Sequence, residues 1–261
     1  MSILAEIIEK KRERVAAAKA MVPPEQMRRL AFESCRTTPH ALRNALRSDG
    51  INIIAEFKRR SPSKGIIRAD ANLIDVVQSY EAGGAVAISV LTEEDYFAGS
   101  LDDFRSVKTA VSLPVLRKDF VFEEYQVYQS ALAGADAILL IVAALDDQTL
   151  SHLSGLADEL GMDALVEVHT SEELKRAAAS GATLLGVNNR DLRTFEVSLQ
   201  TSLSLASEMP QGSISISESG LHTPNDLQRL HDAGYRGFLI GETLMRADDP
   251  AEALRSLRAD K

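Results

Sequence analysis

One short stretch decides the fold that we predict for this sequence: Ala82-Gly83-Gly84-Ala85-Val86-Ala87-Ile88-Ser89-Val90. Its glycines fit the end of a helix, because glycine adopts the left-handed conformation without a Cβ clash. The residues after them are apolar at almost every position, which is typical of a parallel strand buried on both faces. The stretch therefore predicts a helix that ends directly before a buried parallel strand.

The same junction recurs three times further along the chain. A segment of small residues with a glycine leads into an apolar run at Ala133–Ile141, Ser180–Val187 and Ala233–Ile240. Four more apolar runs resemble these strands: Ile51–Phe57, Pro114–Leu116, Ala164–Val168 and Ile214–Ser217. Together with the stretch at Val86–Val90, the sequence therefore predicts eight strands.

Segments with helical periodicity separate the predicted strands, as in Asn72–Glu81 and Leu101–Val111. Thr170-Ser171-Glu172-Glu173 predicts a capping box, and Thr223-Pro224 predicts the start of another helix. Eight strands that alternate with helices predict a (β/α)8 barrel, whose typical length is ~250 residues. The alternative is an open doubly wound sheet, which is disfavoured because no Gly-x-Gly-x-x-Gly motif follows the first strand.

Residues 1–50 precede the first strand and are predicted to form a helical N-terminal extension. Ile3–Ala20 and Pro24–Phe32 are expected to be helices, and a third is expected to open at Thr38-Pro39 and to close at Gly50. A segment of about fifty residues makes a marginal core alone. We therefore expect a single domain over residues 1–261, in which the extension packs onto the barrel.

Composition excludes several classes of protein. The chain has 29 Lys+Arg against 38 Asp+Glu and a net charge of −9, which argues against a nucleic-acid partner. Its longest apolar stretch, Ala137–Leu145, is far shorter than the ~20 residues that span a membrane. The sole cysteine, Cys35, cannot form an intramolecular disulfide or a thiolate cluster, and the histidines lack metal-ligand spacing. We expect a soluble, cytoplasmic protein with no membrane partner and no metal.

Polar residues follow several of the predicted strands, at the edge where (β/α)8 barrels carry their active sites. These residues are Glu56, Lys58, Arg117, Lys118, Asp119, Glu167, His169, Asn188, Arg190, Glu218, Ser219 and Glu242, and the glycines Gly220 and Gly241 lie beside them. Period-two alternation puts Ile54, Glu56 and Lys58 on one face of the first strand. A single strand-end charge is often only a solvated loop residue. Several charges that converge on one mouth would be costly without partners or a ligand, so they predict an active site.

Two features of these strand ends can each be interpreted in two ways. Gly220 and Gly241 follow the seventh and eighth strands, where barrels commonly bind phosphate through backbone N–H groups, but glycines that only form turns would look the same. His169 follows Glu167 by two residues, which allows a catalytic role, although a packed or exposed loop histidine is the favoured interpretation. Ser219 lacks the Gly-x-Ser-x-Gly elbow, so a serine hydrolase is not expected.

Five strand-end motifs, in order, resemble those of the indole-3-glycerol-phosphate synthase family of tryptophan biosynthesis. They are Ile54–Ser63 (IAEFKRRSPS), Leu116–Phe120 (LRKDF), Leu165–His169 (LVEVH), Gly186–Leu192 (GVNNRDL) and Ser217–Gly220 (SESG). The resemblance covers essentially the whole chain, including the N-terminal extension. It implies a carboxy-lyase that converts 1-(2-carboxyphenylamino)-1-deoxyribulose 5-phosphate to indole-3-glycerol phosphate, carbon dioxide and water, without a metal or an organic cofactor.

The resemblance also implies roles for individual residues. Lys118 corresponds to the general acid that protonates the ketone oxygen of the substrate, and Glu167 to its acid/base partner in the later steps. Lys58 corresponds to a carboxylate contact and to the proton donor for loss of the hydroxyl, with Glu56 holding it in place. Asn188 corresponds to a catalytic, substrate-positioning residue. A lysine among other cations is expected to have a lowered pKa, which would help it to give up a proton.

The remaining implied residues bind the substrate. They are Arg190, towards a carboxylate or hydroxyl, and the phosphate-binding positions Ser61, Ser219, Gly220, Gly241 and Glu242. An acid beside a phosphate is electrostatically unfavourable, so we expect the backbone N–H of Glu242 to serve the phosphate. Asn189 stands where some relatives carry serine, and no role is assigned to it.

Three other functions remain as alternatives. Phosphoribosylanthranilate isomerase is a related barrel, but its expected strand-end cysteine and aspartate do not match this sequence. A Schiff-base aldolase would use Lys118 or Lys58, and a non-catalytic sensor of phosphorylated ligands would not need a full set of acids and bases. For the favoured function we expect a phosphorylated, anthranilate-derived small molecule as the partner and a monomer or weak homodimer as the state in solution.

Overall fold

Eight parallel strands close into a barrel in the computed structural model, which describes residues 3–34 and 38–258. The strands are β1 (Asn52–Phe57), β2 (Ala87–Leu91), β3 (Val115–Lys118), β4 (Ala137–Ile141), β5 (Asp163–Val168), β6 (Leu184–Asn188), β7 (Ile214–Glu218) and β8 (Gly237–Ile240). Each strand pairs with the next, and β1 closes the barrel against β8, where Asn52 is in register with Gly237. The predicted (β/α)8 barrel is thus confirmed. Cys35 lies outside the described residues.

Helices surround the barrel and connect its strands. Their bounds are α1 (Ile3–Met21), α2 (Pro24–Glu33), α3 (Ala41–Ala45), α4 (Leu73–Ala82), α5 (Leu101–Ala110), α6 (Glu124–Leu132), α7 (Asp147–Glu159), α8 (Ser171–Ala179), α9 (Gln200–Leu205), α10 (Pro224–Asp232), α11 (Glu242–Arg246) and α12 (Pro250–Arg258). The four junctions that decided the fold each contain a glycine with a left-handed φ, between 81° and 108°: Gly84, Gly134, Gly181 and Gly234. These glycines therefore end helices, as predicted.

The hydrophobic core has two layers because successive strand residues point to opposite faces. Ile53, Ala55 and Phe57 of β1 belong to the layer between the strands and the helices. Ile54 points into the barrel, where it joins Leu116, Leu165, Ile216 and other inward residues of the strands. Charged residues follow this inner layer at the carboxyl ends of the strands, and they form the site described below.

The N-terminal extension divides between the two ends of the barrel. Ile3, Leu4 and Ile7 of α1 line the mouth at the carboxyl ends of the strands. Leu42 and Leu46, from and directly after α3, are instead fully buried in the inner layer of the barrel. Asn52, at the amino end of β1, donates to the carbonyls of Leu46 and Arg236, so α3 closes the opposite end of the barrel.

Two local predictions need correction. The third helix covers only Ala41–Ala45, so it neither begins at Thr38-Pro39 nor continues to Gly50, and His40 before it has a left-handed φ of 53°. At α8, Thr170 caps the helix as predicted, but the Glu173 carboxylate accepts from the backbone N–H of His169 and from its ring, not from Thr170. The capping box expected there is therefore displaced by one residue. Within residues 3–34 and 38–258, no helix combines the length and the apolar character needed to cross a bilayer.

Candidate active site

A single cavity at the carboxyl ends of the strands gathers all the predicted site residues. Its lining includes Glu56, Lys58, Ser61, Lys118, Glu167, Asn188, Arg190, Ser219, Gly220, Gly241 and Glu242. The far wall is apolar, with Phe97 and Phe120 packed at a ring-centroid distance of 6.1 Å. The cavity therefore combines a charged floor with a wall that suits an aromatic ring.

Lys118, the last residue of β3, lies at the centre of the charged floor. Its Nζ is 2.7 Å from Glu218 Oε2, 3.6 Å from Glu167 Oε2 and 3.9 Å from Glu56 Oε2. Burial opposes the charge on this ammonium, but the three carboxylates outweigh burial and raise the pKa of Lys118. This direction is opposite to the expected one, because carboxylates and not cations surround the lysine.

Lys58 and Glu56 form a second ion pair beside Lys118. Lys58 Nζ donates to Glu56 Oε1 at 2.5 Å, and Ser89 Oγ donates to the other oxygen at 3.4 Å. Burial alone would raise the pKa of Glu56, but the charges of Lys58 and Lys118 together lower it below its ordinary value. Glu56 therefore remains ionised between the two lysines.

Glu218 is a site residue that the sequence indicated at a strand end but to which no role was assigned. Its side chain is 1% exposed, and burial together with the nearby charges of Glu167 and Glu56 raises its pKa to about 7 despite the attraction of Lys118. The raised pKa values of Lys118 and Glu218 have one cause. Three buried carboxylates face only two ammonium groups, those of Lys58 and Lys118, so Lys118 keeps its proton and Glu218 binds one more readily. A signal was present: Glu218 follows the inward Ile216 by two residues, as Glu56 follows Ile54.

Glu242 lies at the rim of the cavity, within reach of three cations. Its Oε1 is 3.1 Å from Arg246 Nε and 3.7 Å from Lys64 Nζ, and its Oε2 is 4.0 Å from Arg190 Nη2. Burial raises the pKa of Glu242, but these neighbours outweigh burial and lower it. The rim thus holds positive charge next to Gly241 and Ser61, which also line the cavity.

Steric requirements explain both glycines that were singled out. A Cβ at Gly241 would lie 2.7 Å from Glu56 Oε1, and one at Gly220 would lie 2.4 Å from a Val197 methyl carbon. Gly220 also has a left-handed φ of 75°. Close packing therefore requires glycine at both positions, and the choice between a turn and a phosphate contact stays open on geometry alone.

Asn189, to which no role was assigned, ties two strand-end loops together. It is buried, and its Nδ2 donates to Ser217 Oγ and to the carbonyl of Ser219, both at 3.0 Å. Its Oδ1 accepts from the backbone and the hydroxyl of Ser202. Ser219 has a left-handed φ of 69°, an uncommon conformation for a residue with a side chain. Asn189 therefore helps to hold Ser219 at the mouth, whereas Asn188 accepts from the backbone N–H of Arg190.

A buried ion pair fastens α1 to the end of β3. Lys11 is 3% exposed, and its Nζ lies 2.9 Å from Asp119 and 2.6 Å from Glu94. Asp119 directly follows Lys118 and also accepts from Thr92 and Arg117. Burial opposes the charge of Asp119, yet Lys11 and Arg117 hold its pKa well below the usual range. The helix over the mouth is thus linked by charge to the strand that carries Lys118.

A closed (β/α)8 barrel with lysines and buried carboxylates at the carboxyl ends of its strands defines an enzyme that binds a small molecule in the mouth of the barrel. The chain belongs to the indole-3-glycerol phosphate synthase family, since the model of that family matches residues 4–257. It is therefore a carboxy-lyase of tryptophan biosynthesis, and the resemblance found in the sequence is confirmed.

Relatives with the same name cover nearly the whole chain. The indole-3-glycerol phosphate synthase of Desulfosudis oleivorans is 46% identical over 257 residues, which are 98% of this chain and 98% of the relative. That of Carboxydothermus hydrogenoformans is 45% identical over 262 residues, 98% and 99% of the two chains. A crystal structure of 3-hexulose-6-phosphate synthase from Salmonella typhimurium has a TM-score of 0.63 at 11% identity, over 80% of this chain and 97% of that chain. At this identity the likeness shows the barrel fold alone.

Proposed function

We propose that the charged floor of the cavity carries out the successive steps by which 1-(2-carboxyphenylamino)-1-deoxyribulose 5-phosphate becomes indole-3-glycerol phosphate, carbon dioxide and water. One observation carries this assignment of roles: the Lys118 ammonium lies within 4 Å of the carboxylates of Glu56, Glu167 and Glu218. The floor thus holds proton donors and proton acceptors in contact with one another, which the acid and base steps of this reaction require.

Lys118 acts in the ring closure. As the ring carbon that bears the carboxylate attacks the ketone, the ketone oxygen gains negative charge and takes the proton of Lys118. The raised pKa of Lys118 keeps it protonated until that charge develops. A donor that meets the oxygen only as it becomes negative lowers the barrier more than it strengthens substrate binding.

Glu167 and Lys58 act in the later steps. Loss of carbon dioxide restores the aromatic ring, and the carboxylate of Glu167 stabilises positive charge on the adjacent nitrogen. The nitrogen lone pair then expels the hydroxyl, which leaves as water with the proton of Lys58. Glu167 takes the ring proton whose loss completes the indole. The Glu56 carboxylate, 2.5 Å from Lys58, orients this lysine.

The rim and the apolar wall bind the two ends of the substrate. Ser61, Ser219, Gly220, Gly241 and the backbone N–H of Glu242 take the phosphate, with Lys64 and Arg190 supplying positive charge near it. Asn188 and Arg190 position the sugar chain or the carboxylate. Phe97, Phe120 and the α1 residue Ile7 pack against the anthranilate ring.

The proposal also covers the location, the oligomeric state, the domain organisation and the cofactors of the enzyme. We expect a cytoplasmic monomer or weak homodimer, organised as one domain over residues 1–261, that uses no metal and no organic cofactor. The net charge of −9 supports the absence of a nucleic-acid partner. The burial of Leu42 and Leu46 inside the barrel supports the single domain.

Incubation with the carboxyphenylamino-deoxyribulose phosphate tests this function directly. Indole fluorescence should rise with time and with enzyme concentration, and one carbon dioxide should be released for each indole formed. Lys118→Met protein, purified in the same way, is the control for contaminating activity. Fluorescence that does not rise above this control would contradict the assignment.

A further inference from the structure

His169 follows the end of β5 and lies two residues after Glu167. Its side chain is 11% exposed, and one side of it is held by Glu173 in the first turn of α8. The backbone N–H of His169 donates to Glu173 Oε2 at 2.7 Å, and the ring Nδ1 lies 3.1 Å from the same oxygen. The imidazole is therefore fixed in place by a carboxylate that is outside the charged floor.

The other ring nitrogen points towards Glu167. Nε2 of His169 lies 3.5 Å from Glu167 Oε1 and is buried, and no hydrogen-bond partner for it is present within residues 3–34 and 38–258. An ionised carboxylate accepts and does not donate, so Glu173 keeps a proton on Nδ1. Whether Nε2 also carries a proton then decides the charge of the ring, and Nε2 is the nitrogen that faces the floor.

The groups around the ring favour the charged form. Glu167 on β5, Glu173 on α8 and Glu218 on β7 face it, and Glu208 lines the outer cleft beside it. Burial lowers the pKa of His169, but these first three carboxylates outweigh burial and raise it. The imidazolium therefore persists to higher pH than that of an ordinary histidine.

The charge balance of the floor also favours the imidazolium form of His169. The floor brings together the three carboxylates of Glu56, Glu167 and Glu218 and the two ammonium groups of Lys58 and Lys118. One further proton neutralises this buried group. Glu218, whose pKa is raised to about 7, holds part of it, and His169 is a second titratable side chain at the edge of the floor that can hold it.

The reaction itself consumes a proton. An ionised carboxylate leaves the substrate as neutral carbon dioxide, so the product carries one negative charge less and one proton must come from the enzyme. The two lysines donate two protons in the proposed steps, and Glu167 recovers one. The enzyme is then one proton short at the end of each turnover.

We propose that His169 is the proton store of this site: its imidazolium orients Glu167 and supplies, through Glu167, the proton that each turnover consumes. The N–H bond at Nε2 breaks as an O–H bond forms at Glu167 Oε1. Glu167 passes the recovered ring proton from its other oxygen to Lys118, 3.6 Å away. The proton from His169 follows the same route and reaches Lys58 through Glu56, which lies 3.9 Å from Lys118 and 2.5 Å from Lys58, so both ammonium groups are restored. His169 is left neutral with its proton on Nδ1, and it is recharged through Glu167 when water refills the mouth.

The inference rests on the acid/base role proposed for Glu167, and His169→Asn tests it. The asparagine amide reaches the position of Nδ1 and keeps the bond to Glu173, whereas the nitrogen that faces Glu167 is removed. At pH 6.5 we expect kcat to fall about tenfold, less than the ~10²–10⁴ of a direct acid or base, with KM changed less than about twofold. The difference from the unmodified protein should narrow from pH 6.5 to pH 9, as the imidazolium of the unmodified protein loses its proton.

His152→Gln is the matched control. His152 also pairs with a glutamate, its Nε2 lying 2.6 Å from Glu124, but this pair is exposed on the surface. Its variant should keep kcat and the pH profile of the unmodified protein. The proposal would be overturned by a His169→Asn enzyme whose kcat stays within twofold of the unmodified protein at every pH. It would also be overturned by a kcat that is lowered equally at pH 6.5 and pH 9.

A titration in the absence of substrate tests the contact between His169 and Glu167 independently of the catalytic role of Glu167. The imidazole nitrogen shifts of His169, followed by NMR in the unmodified protein, should show a pKa above 6.5 and a neutral form with the proton on Nδ1. Glu167→Gln should lower that pKa. If Glu167→Gln retained full activity but lowered the pKa of His169, the role proposed for Glu167 would fail while the pairing stood. An unchanged titration would contradict the pairing itself.

Discussion

Lys118 Nζ and Glu218 Oε2 lie 2.7 Å apart, although β3 and β7, which carry them, stand on opposite sides of the barrel. Their side chains meet over the inner layer, directly above Leu116 and Ile216. The contact places the proposed proton donor in a field of carboxylates. Together with Glu56 and Glu167, it makes the protonation of Lys118 depend on carboxylates from three other strands.

Lys118→Met should lower kcat at least about a hundredfold and change KM less than tenfold, since general acid catalysis is typically worth ~10²–10⁴-fold. Lys118→Arg should not restore activity, because a guanidinium does not readily release its proton. Steady-state kinetics on both variants, with circular dichroism to verify folding, is the measurement. A folded Lys118→Met enzyme within fivefold of the unmodified kcat would move the acid role to Lys58.

Glu218→Gln should change how stability depends on pH. The pKa of Glu218 is about 7 in the folded protein and near 4.5 when the chain is unfolded. Its contribution to stability is therefore greatest at pH values below 4.5 and is lost as the pH rises to about 7. Denaturant unfolding measures this at pH 5 and pH 8. Between these pH values the free energy of unfolding should fall less in the variant than in the unmodified protein. Equal losses in both proteins would argue against a protonated Glu218.

Gly241→Val should raise KM by about tenfold or more and also lower kcat, because the new side chain reaches the Glu56 carboxylate that lies 2.7 Å from a Cβ. Gly155→Ala, on α7 with open space around it, is the control and should leave both constants unchanged. An unchanged KM in Gly241→Val would place the phosphate elsewhere. A lower kcat with an unchanged KM would mean that Gly241 serves only the packing of Glu56.

Lys11→Met should destabilise the fold and slow the enzyme. Removing this ammonium leaves the buried Asp119 carboxylate with Arg117 and Thr92 as its partners, so the loss should be below the cost of about 3–5 kcal/mol that is typical for a fully broken buried ion pair. Loss of the pair also frees α1 from the strand end that carries Lys118, so KM should rise. Lys10→Met, next to it on the same helix, removes an exposed pair with Glu13 and should leave the unfolding curve unchanged. Equal stabilities of the two variants would show that the Lys11–Asp119 ion pair does not hold α1 to the barrel.

Two truncations should separate the two ends of the extension. Removal of residues 1–47 takes away Leu42 and Leu46, so the barrel loses part of its inner layer and should be poorly stable and nearly inactive. Removal of residues 1–22 keeps these two residues but takes away Ile7 and Lys11. This shorter truncation should stay folded with a raised KM and a lower melting temperature. A truncation of 1–47 that kept full activity would show that the extension is dispensable.

Local sequence patterns were sufficient for the fold and for the position of the site at the carboxyl ends of the strands. Glycine at a helix end before an apolar run is a short-range signal, and each of the four junctions formed as predicted. Period-two alternation likewise puts Glu56 and Glu218 on the inward faces that begin at Ile54 and Ile216. Such signals are readable because they depend on neighbours only two to four positions away.

Closure of the barrel determined the contacts between residues that are far apart in the chain. The sequence shows a lysine at the end of β3 and acids at the ends of β1, β5 and β7, but it does not show that these side chains meet. The pKa of Lys118 was therefore expected to fall, and it rises because three carboxylates from distant strands surround it. The split of the extension, with Leu42 at the closed end and Ile7 at the mouth, was also decided by closure. Electrostatic energy and packing depend on distances in space, and for residues far apart in the chain only the tertiary structure sets those distances.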